Sequence, residues 1–291
     1  MPACAAQDSV GAAVASLIAL REPDWEAVIV SDDGVDYLAL LAGLGIADKR
    51  LRMVSTGRVA SGCHRARNSG LAAARGDFVT QLDADDTVTP NRLTRLLPLA
   101  AEFGAAADNL VVVDAGSGAV LRQALGETQG VVLLSGADIV ALSTPLVPLV
   151  RRDHVLVRAE GVEHAEDVIA NLQLVARIGR LPVTPEASYS YRIRANSICH
   201  SPGAAAAFEA AYSDYLDRLD SGDGFGLPYE LRESARAAVV EKREVNRGFA
   251  VAVAAGFAGT FQHYVRQSER ERLGSLRHLF RDGGKAQQHD G

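Results

Sequence analysis

Apolar and polar positions change period in a regular order along the first hundred residues. Val10, Val14, Leu17 and Ile18 share one face at helical spacing after Asp8-Ser9, and Glu22-Pro23-Asp24 breaks that pattern. A short β-branched run from Trp25 to Val30 then predicts a buried strand. A second helix runs through Tyr37, Leu40, Leu41 and Leu44, and a second strand covers Leu51 to Val54. After a Gly- and Ser-bearing loop, Ser55 to Gly62, comes a helix from Arg65 to Ala74, closed by Gly76. A third strand begins at Phe78. Strand and helix alternating through short connections predict a parallel sheet covered by helices.

The period is less regular afterwards. A helix over Asn91 to Phe103 leads to a strand at Leu110 to Asp114, and Gly116-Ser117-Gly118 reads as a hairpin turn into Ala119 to Leu125. Val131 to Leu134 is a further apolar run, with a helical piece starting near Ser135. Val147 to Gly161 follows no clear pattern. A helix through Ile169, Leu172, Leu174, Val175 and Ile178 stops at Gly179, a strand covers Ala187 to Ile193, and Arg194 to Gly203 reads as a loop. From Ala204 the pattern is long and helical, over Ala204 to Leu219, Pro228 to Ala255 and a basic stretch from Gln267 to Phe280. These shifts predict a domain over 1–202, a helical extension over 203–281 and a disordered tail over 282–291.

Composition narrows the class. The 291 residues are 48% hydrophobic and 23% charged, as in an ordinary globular protein, and a net charge of −6 does not suggest a nucleic-acid footprint. The three cysteines, Cys4, Cys63 and Cys199, have no metal-ligand spacing and an odd count, which points to a reducing cytoplasm. No run reaches the roughly 20 apolar residues of a membrane span, and the start Met1-Pro2-Ala3-Cys4 shows no basic region followed by an apolar core, so no signal peptide is expected.

Candidate chemistry lies at the strand ends. Leu82-Asp83-Ala84-Asp85-Asp86 puts three carboxylates within four residues after the Phe78 strand, and Ser31-Asp32-Asp33-Gly34 follows the Trp25 strand. In open α/β sheets the ligand crevice lies beyond the carboxyl ends of the strands. Clustered like charges make sense where a hard cation such as Mg²⁺ or Mn²⁺ shares them with substrate phosphates. Each cluster has a plainer reading as well. Asp32 and Asp33 suit a turn, Asp85 or Asp86 a helix cap, and Glu166-Asp167 the first turn of a helix, where they would complement its dipole. Arg65 and Asn68 suit a helix start, and His164 and His200 read as surface residues.

Taken in order, Trp25 to Gly34, Ala66-Arg67-Asn68-Ser69-Gly70 with Gly76 before Phe78, and Leu82 to Asp86 followed by Pro90-x-Arg92-Leu93 resemble family-2 glycosyltransferases over residues 8 to 100. Beyond residue 100 the likeness rests on Glu166-Asp167 and Tyr191-Arg192-x-x-x-Asn196-Ser197. The resemblance implies an A-type glycosyltransferase fold: one α/β domain that binds a nucleoside-diphosphate sugar, with a mostly parallel sheet. It implies that Asp33 accepts hydrogen bonds from the nucleoside, that Asp32 supports its loop, and that Arg65 and Asn68 border the nucleotide cleft. Asp83 and Asp85 would frame Mg²⁺ or Mn²⁺, with Asp86 nearby. Asp167 would be the general base, and Arg192 or Arg194 would contact diphosphate.

The implied reaction is metal-dependent, inverting transfer from a donor, UDP-sugar favoured, to a hydroxyl of a glycan or lipid-linked acceptor in bacterial polysaccharide synthesis. The expected location is cytoplasmic, with peripheral attachment at the inner face of the plasma membrane as an alternative. Pro2 to Gln7 stands where the family has the turn after its first strand, and almost nothing precedes it. A start assigned too late accounts for this more simply than a sheet lacking a central strand. Two other functions fit parts of the pattern: a haloacid-dehalogenase-like phosphatase using Asp83 and Asp85, and a non-catalytic nucleotide-sugar-binding relative.

Overall fold

The computed structural model describes residues 1–126, 130–142, 144, 146–158, 166–194, 204–261, 263–265 and 267. The first units follow the apolar periods: β1 Pro2–Ala3, α1 Val10–Ile18, β2 Ala27–Ser31, α2 Tyr37–Gly43, β3 Leu51–Ser55 and α3 Cys63–Ala73. Strands β1, β2 and β3 form a three-stranded parallel sheet in that order. Pro2 and Ala3, part of the expected turn, are paired instead: Pro2 lies opposite Val30, whose N–H donates to Met1 O over 2.8 Å. Val10, Val14, Ile29, Tyr37 and Leu41 close one core beneath this sheet.

Helix α3 ends at Ala73, short of Gly76, because Ala74 turns to an extended ψ of 145° after donating to Gly70 O and Leu71 O. Gly70 is set by close packing. A β-carbon there would stand 3.0 Å from Val30 Cγ2, so the glycine lets α3 lie directly on β2.

The second half continues with β4 Phe78–Val79, β5 Thr87–Val88, α4 Arg92–Phe103, β6 Ala105–Asp114, β7 Val120–Gln123, β8 Val132–Leu134, α5 Gly136–Ala141 and β9 Leu149–Arg151. It closes with α6 Glu166–Ile178, β10 Leu181–Ile193, α7 Ala204–Ser221 and α8 Tyr229–Ala254. The seven-stranded sheet has the order β4-β9-β6-β10-β5, with β7 on β6 and β8 on β10. The parallel pairing predicted from strand–helix alternation holds in the first sheet and between β6 and β10. The remaining pairs are antiparallel, where short strands and the β6–β7 hairpin need no helical crossover.

Strands β6 and β10 outrun their sequence signals. The alanines at 105 to 107 carry little β-propensity, and Pro182 and Pro185 mask the start of β10, whose register shifts between Thr184 and Ala187. Tyr215, Leu219, Phe225, Leu227 and Val239, from the C-terminal helical region, share one core with Leu172 of α6 and Leu181 of β10. That core fixes α6, whose first turn carries Glu166 and Asp167. His164, His200, Asn196-Ser197, the stretch 268–280 and the tail 282–291 lie outside the described residues. Among the described residues no helix is long and apolar enough to cross a membrane.

Candidate active site

The carboxylates after β4 point in three directions. Asp83 is held by Arg67 Nη2, which reaches both its oxygens, at 3.2 and 3.1 Å. Asp85 pairs with Arg194 Nη2 at 2.7 Å. Asp86 is buried and turned inward, accepting from Tyr189 Oη at 2.7 Å and from the Arg192 backbone N–H at 2.8 Å. Burial, reinforced by the nearby charge of Asp83, pushes its carboxyl well above the ordinary range. Arg192 thus meets the acidic loop through its backbone, and Arg194 through its side chain.

A second group of carboxylates faces the same arginine. Arg67 Nη1 donates to Glu166 and lies 3.8 Å from Asp167 Oδ1, while Arg158 Nη2 lies 3.4 Å from that oxygen. The two neighbours are driven apart. Burial raises Glu166, whereas Arg67 and Arg158 outweigh the burial of Asp167 and hold it below the usual carboxylate range. Asp167 therefore stays ionised and able to take a proton. Adjacent groups with opposed shifts are the arrangement from which acid–base assignments are drawn. Burial pushes the nearby Cys63 thiol up to about 12, which leaves it protonated and a poor nucleophile.

The loop after β2 is tightly bonded. Asp32 accepts from Thr56 Oγ1 at 2.7 Å and from the N–H groups of Ser61 at 3.1 Å and Gly62 at 3.2 Å, fixing the loop that enters α3. Asp33 accepts from Ala5 N at 2.7 Å, Tyr37 Oη at 2.8 Å and Val35 N at 3.1 Å. Although burial raises the Asp33 carboxyl, these bonds prevail and lower it. Arg65 is half-buried on α3. Asn68, also on α3, gives both ends of its amide to residue 158: Nδ2 donates to Arg158 O at 3.0 Å, and Arg158 N donates to Oδ1 at 2.8 Å. A cavity of about 800 Å³, lined by Trp25, Val28 and Phe78, reaches Arg67, Gln81 and Arg158.

Among the described residues no three His, Cys, Asp or Glu side chains form a closed metal cage. An Mg²⁺ site needs none, since the ion is commonly held by one or two carboxylates together with substrate phosphates. Asp83 and Asp85 supply such oxygens, with 31% and 24% of their side chains exposed, and each is now balanced by an arginine. These carboxylate oxygens are of the type a hard divalent cation takes.

Residues 1–130 match the family model described as Glycosyl transferase family 2. This match covers the N-terminal part, under half of the chain. The match does not favour the phosphatase alternative. The chain is 32% identical to the succinoglycan biosynthesis protein ExoO of Rhizobium meliloti over 217 residues, 66% of this chain and 59% of that protein. It is 31% identical over 93 residues to WfgD of Escherichia coli, a UDP-Glc:alpha-D-GlcNAc-diphosphoundecaprenol beta-1,3-glucosyltransferase, covering 32% of this chain and 36% of that one. The chain therefore spans about three-fifths and about a third of these relatives' lengths. The fold matches S. aureus TarS 1-349 in complex with UDP-GlcNAc, with a TM-score of 0.60 at 15% identity over 94% of this chain and 90% of that chain. It also matches GalNAc-T7 with UDP, GalNAc and Mn²⁺, at a TM-score of 0.53 and 14% identity over 78% of this chain and 51% of that chain. At such identities the likeness is one of fold.

Arg67, Arg158, Gln81 and Tyr189 are site residues that sequence reasoning did not select. Arg67 stood inside the Ala66-Arg67-Asn68 stretch, so its signal was present. Arg158 had none, because it follows a 3₁₀ turn at Arg152–His154, in a segment without period.

Proposed function

We propose that this chain is a metal-dependent, inverting glycosyltransferase moving a sugar from a nucleoside-diphosphate donor, UDP-sugar favoured, to a hydroxyl of a glycan or lipid-linked acceptor in bacterial polysaccharide synthesis. The observation that carries the reading is the meeting of Asp83 and the Glu166–Asp167 pair on one guanidinium, that of Arg67, within a family 2 fold. Donor-side and acceptor-side carboxylates thereby share a single centre.

Asp32 shapes the loop in which Asp33 meets the nucleoside. A divalent cation on Asp83 and Asp85 would supply neutralisation of the charge that develops on the departing diphosphate. Arg194, released from Asp85, is free to follow the diphosphate. Asp167, kept anionic by Arg67 and Arg158, takes the acceptor hydroxyl proton as the oxygen attacks opposite the leaving group, which inverts the anomeric centre. Positioned base catalysis of this kind contributes about 10²–10⁴-fold. Relatives named for succinoglycan and diphosphoundecaprenol-linked synthesis support a polysaccharide role.

A panel of nucleotide sugars, scored by thermal stabilisation and by hydrolysis, tests the donor class. Asp167→Asn is expected to keep donor binding and lose transfer. Normal transfer by that variant would move the base elsewhere. A non-catalytic relative would bind donor weakly and hydrolyse none of the panel.

A further inference from the structure

We propose that Asn68 is a positioning residue for the base: it holds Arg158, and Arg158 orients Asp167. The inference rests on the reading of Asp167 as the proton acceptor. Asn68 pairs with the backbone of residue 158 as a neighbouring strand would, donating from Nδ2 to Arg158 O at 3.0 Å and accepting the Arg158 N–H on Oδ1 at 2.8 Å. An asparagine amide has one carbonyl and one NH₂ group, and both are engaged by this one residue. Both ends of the amide are thus engaged by the segment that carries Arg158.

Residues 155–158 lie in no helix or strand. Lacking ladder bonds of its own, this segment is held at residue 158 by the Asn68 tether. From there the Arg158 guanidinium reaches Gln81 Oε1 at 3.0 Å and Asp167 Oδ1 at 3.4 Å. The neighbouring Arg67 side chain approaches Asp167 from the other side, at 3.8 Å. Successive residues of α3 thus serve the base from two directions, Arg67 directly and Asn68 through Arg158. The charged, titratable and polar groups facing Asp167 are Arg67 and Cys63 from α3, Arg158 ahead of α6, Glu166 beside it, Gln81 after β4 and Tyr215 from α7.

The test is a double-variant cycle of Asn68→Ala and Arg158→Ala on the full chain, with two readouts. In transfer assays each single variant is expected to lower kcat about 10–100-fold, as small misplacements of a reacting group do. The double variant should be no worse than the stronger single one, because both remove the same link. UDP affinity of Asn68→Ala should match wild type. Multiplying effects on kcat, or a loss of UDP affinity in Asn68→Ala, would overturn the inference. The second readout needs no activity: a carbon-detected NMR titration of the Asp167 carboxyl. Asn68→Ala should raise its midpoint as Arg158→Ala does, and an unmoved midpoint would overturn the tether. Should the alanine form not fold, Asn68→Ser, uncharged and too short to span both backbone groups of residue 158, replaces it, and the same shift is expected. A wild type that neither binds UDP nor transfers sugar would refute the functional reading, while the titration still decides the tether.

Discussion

The Tyr189 hydroxyl donates to the Asp86 carboxylate over 2.7 Å and ties the acidic loop after β4 to the middle of β10. The Arg192 N–H holds the other Asp86 oxygen at 2.8 Å, and Arg92 lies over the Tyr189 ring, 5.2 Å from its centroid. Asp86 is thereby spent on shape. Its neighbours Asp83 and Asp85 keep partly exposed oxygens.

Tyr189→Phe removes the hydroxyl and leaves one oxygen of the buried Asp86 carboxyl, Oδ2, without its donor. An unsatisfied buried group of this kind costs about 1–3 kcal/mol. Urea unfolding should show the loss as a lower midpoint with an unchanged slope. Equal midpoints for variant and wild type would mean that the bond does not hold the loop.

Arg92 and Asp108 form an ion pair at 3.0 Å, with side chains only 2% and 1% exposed. Removing one partner of a buried pair costs about 3–5 kcal/mol, whereas replacing both with apolar residues is often neutral. Asp108→Leu alone should therefore destabilise strongly. The double variant Arg92→Met/Asp108→Leu should recover much of that loss. If the double variant is as unstable as the sum of the singles, the bonds from Arg92 to Thr80 and Val147 matter more than the pair itself.

Asp167 sets the expected pH dependence. Arg67 and Arg158 lower its folded pKa, so its contribution to stability is present above the unfolded value of about 3.9 and is lost as pH falls through the lower folded value. Transfer should accordingly persist as pH drops to the ordinary carboxylate range. Arg158→Ala should move the acidic limb of kcat/KM upward. A wild-type limb already above that range would point to a different base.

The strand–helix alternation of the first hundred residues was legible because each apolar face repeats at a clean period and ends in a turn. Asp83, Asp85 and Asp167 stood out as charges at element ends. Their partners did not, since Arg158 lies in a stretch without period and Tyr189 sits in a strand interior where an aromatic reads as packing. The role of Asn68 was hidden for another reason. An amide near a helix start looks the same in sequence whether it meets a nucleotide or a distant backbone, and only the fold brings residues 68 and 158 together. The starts of β6 and β10 were obscured by alanine and proline, whose poor strand preference is overridden by pairing, Ala105 and Ala106 with β9 and Pro182 with β8.

The central claim is that Asp83 and Asp85 share a divalent cation with the diphosphate of the donor. Calorimetric titration of UDP into wild type and Asp85→Ala, each with Mn²⁺ and with chelator, tests it most directly. The account predicts that Mn²⁺ strengthens UDP binding by wild type and that Asp85→Ala abolishes this gain. Equal binding with and without metal, unaltered by the substitution, would contradict it.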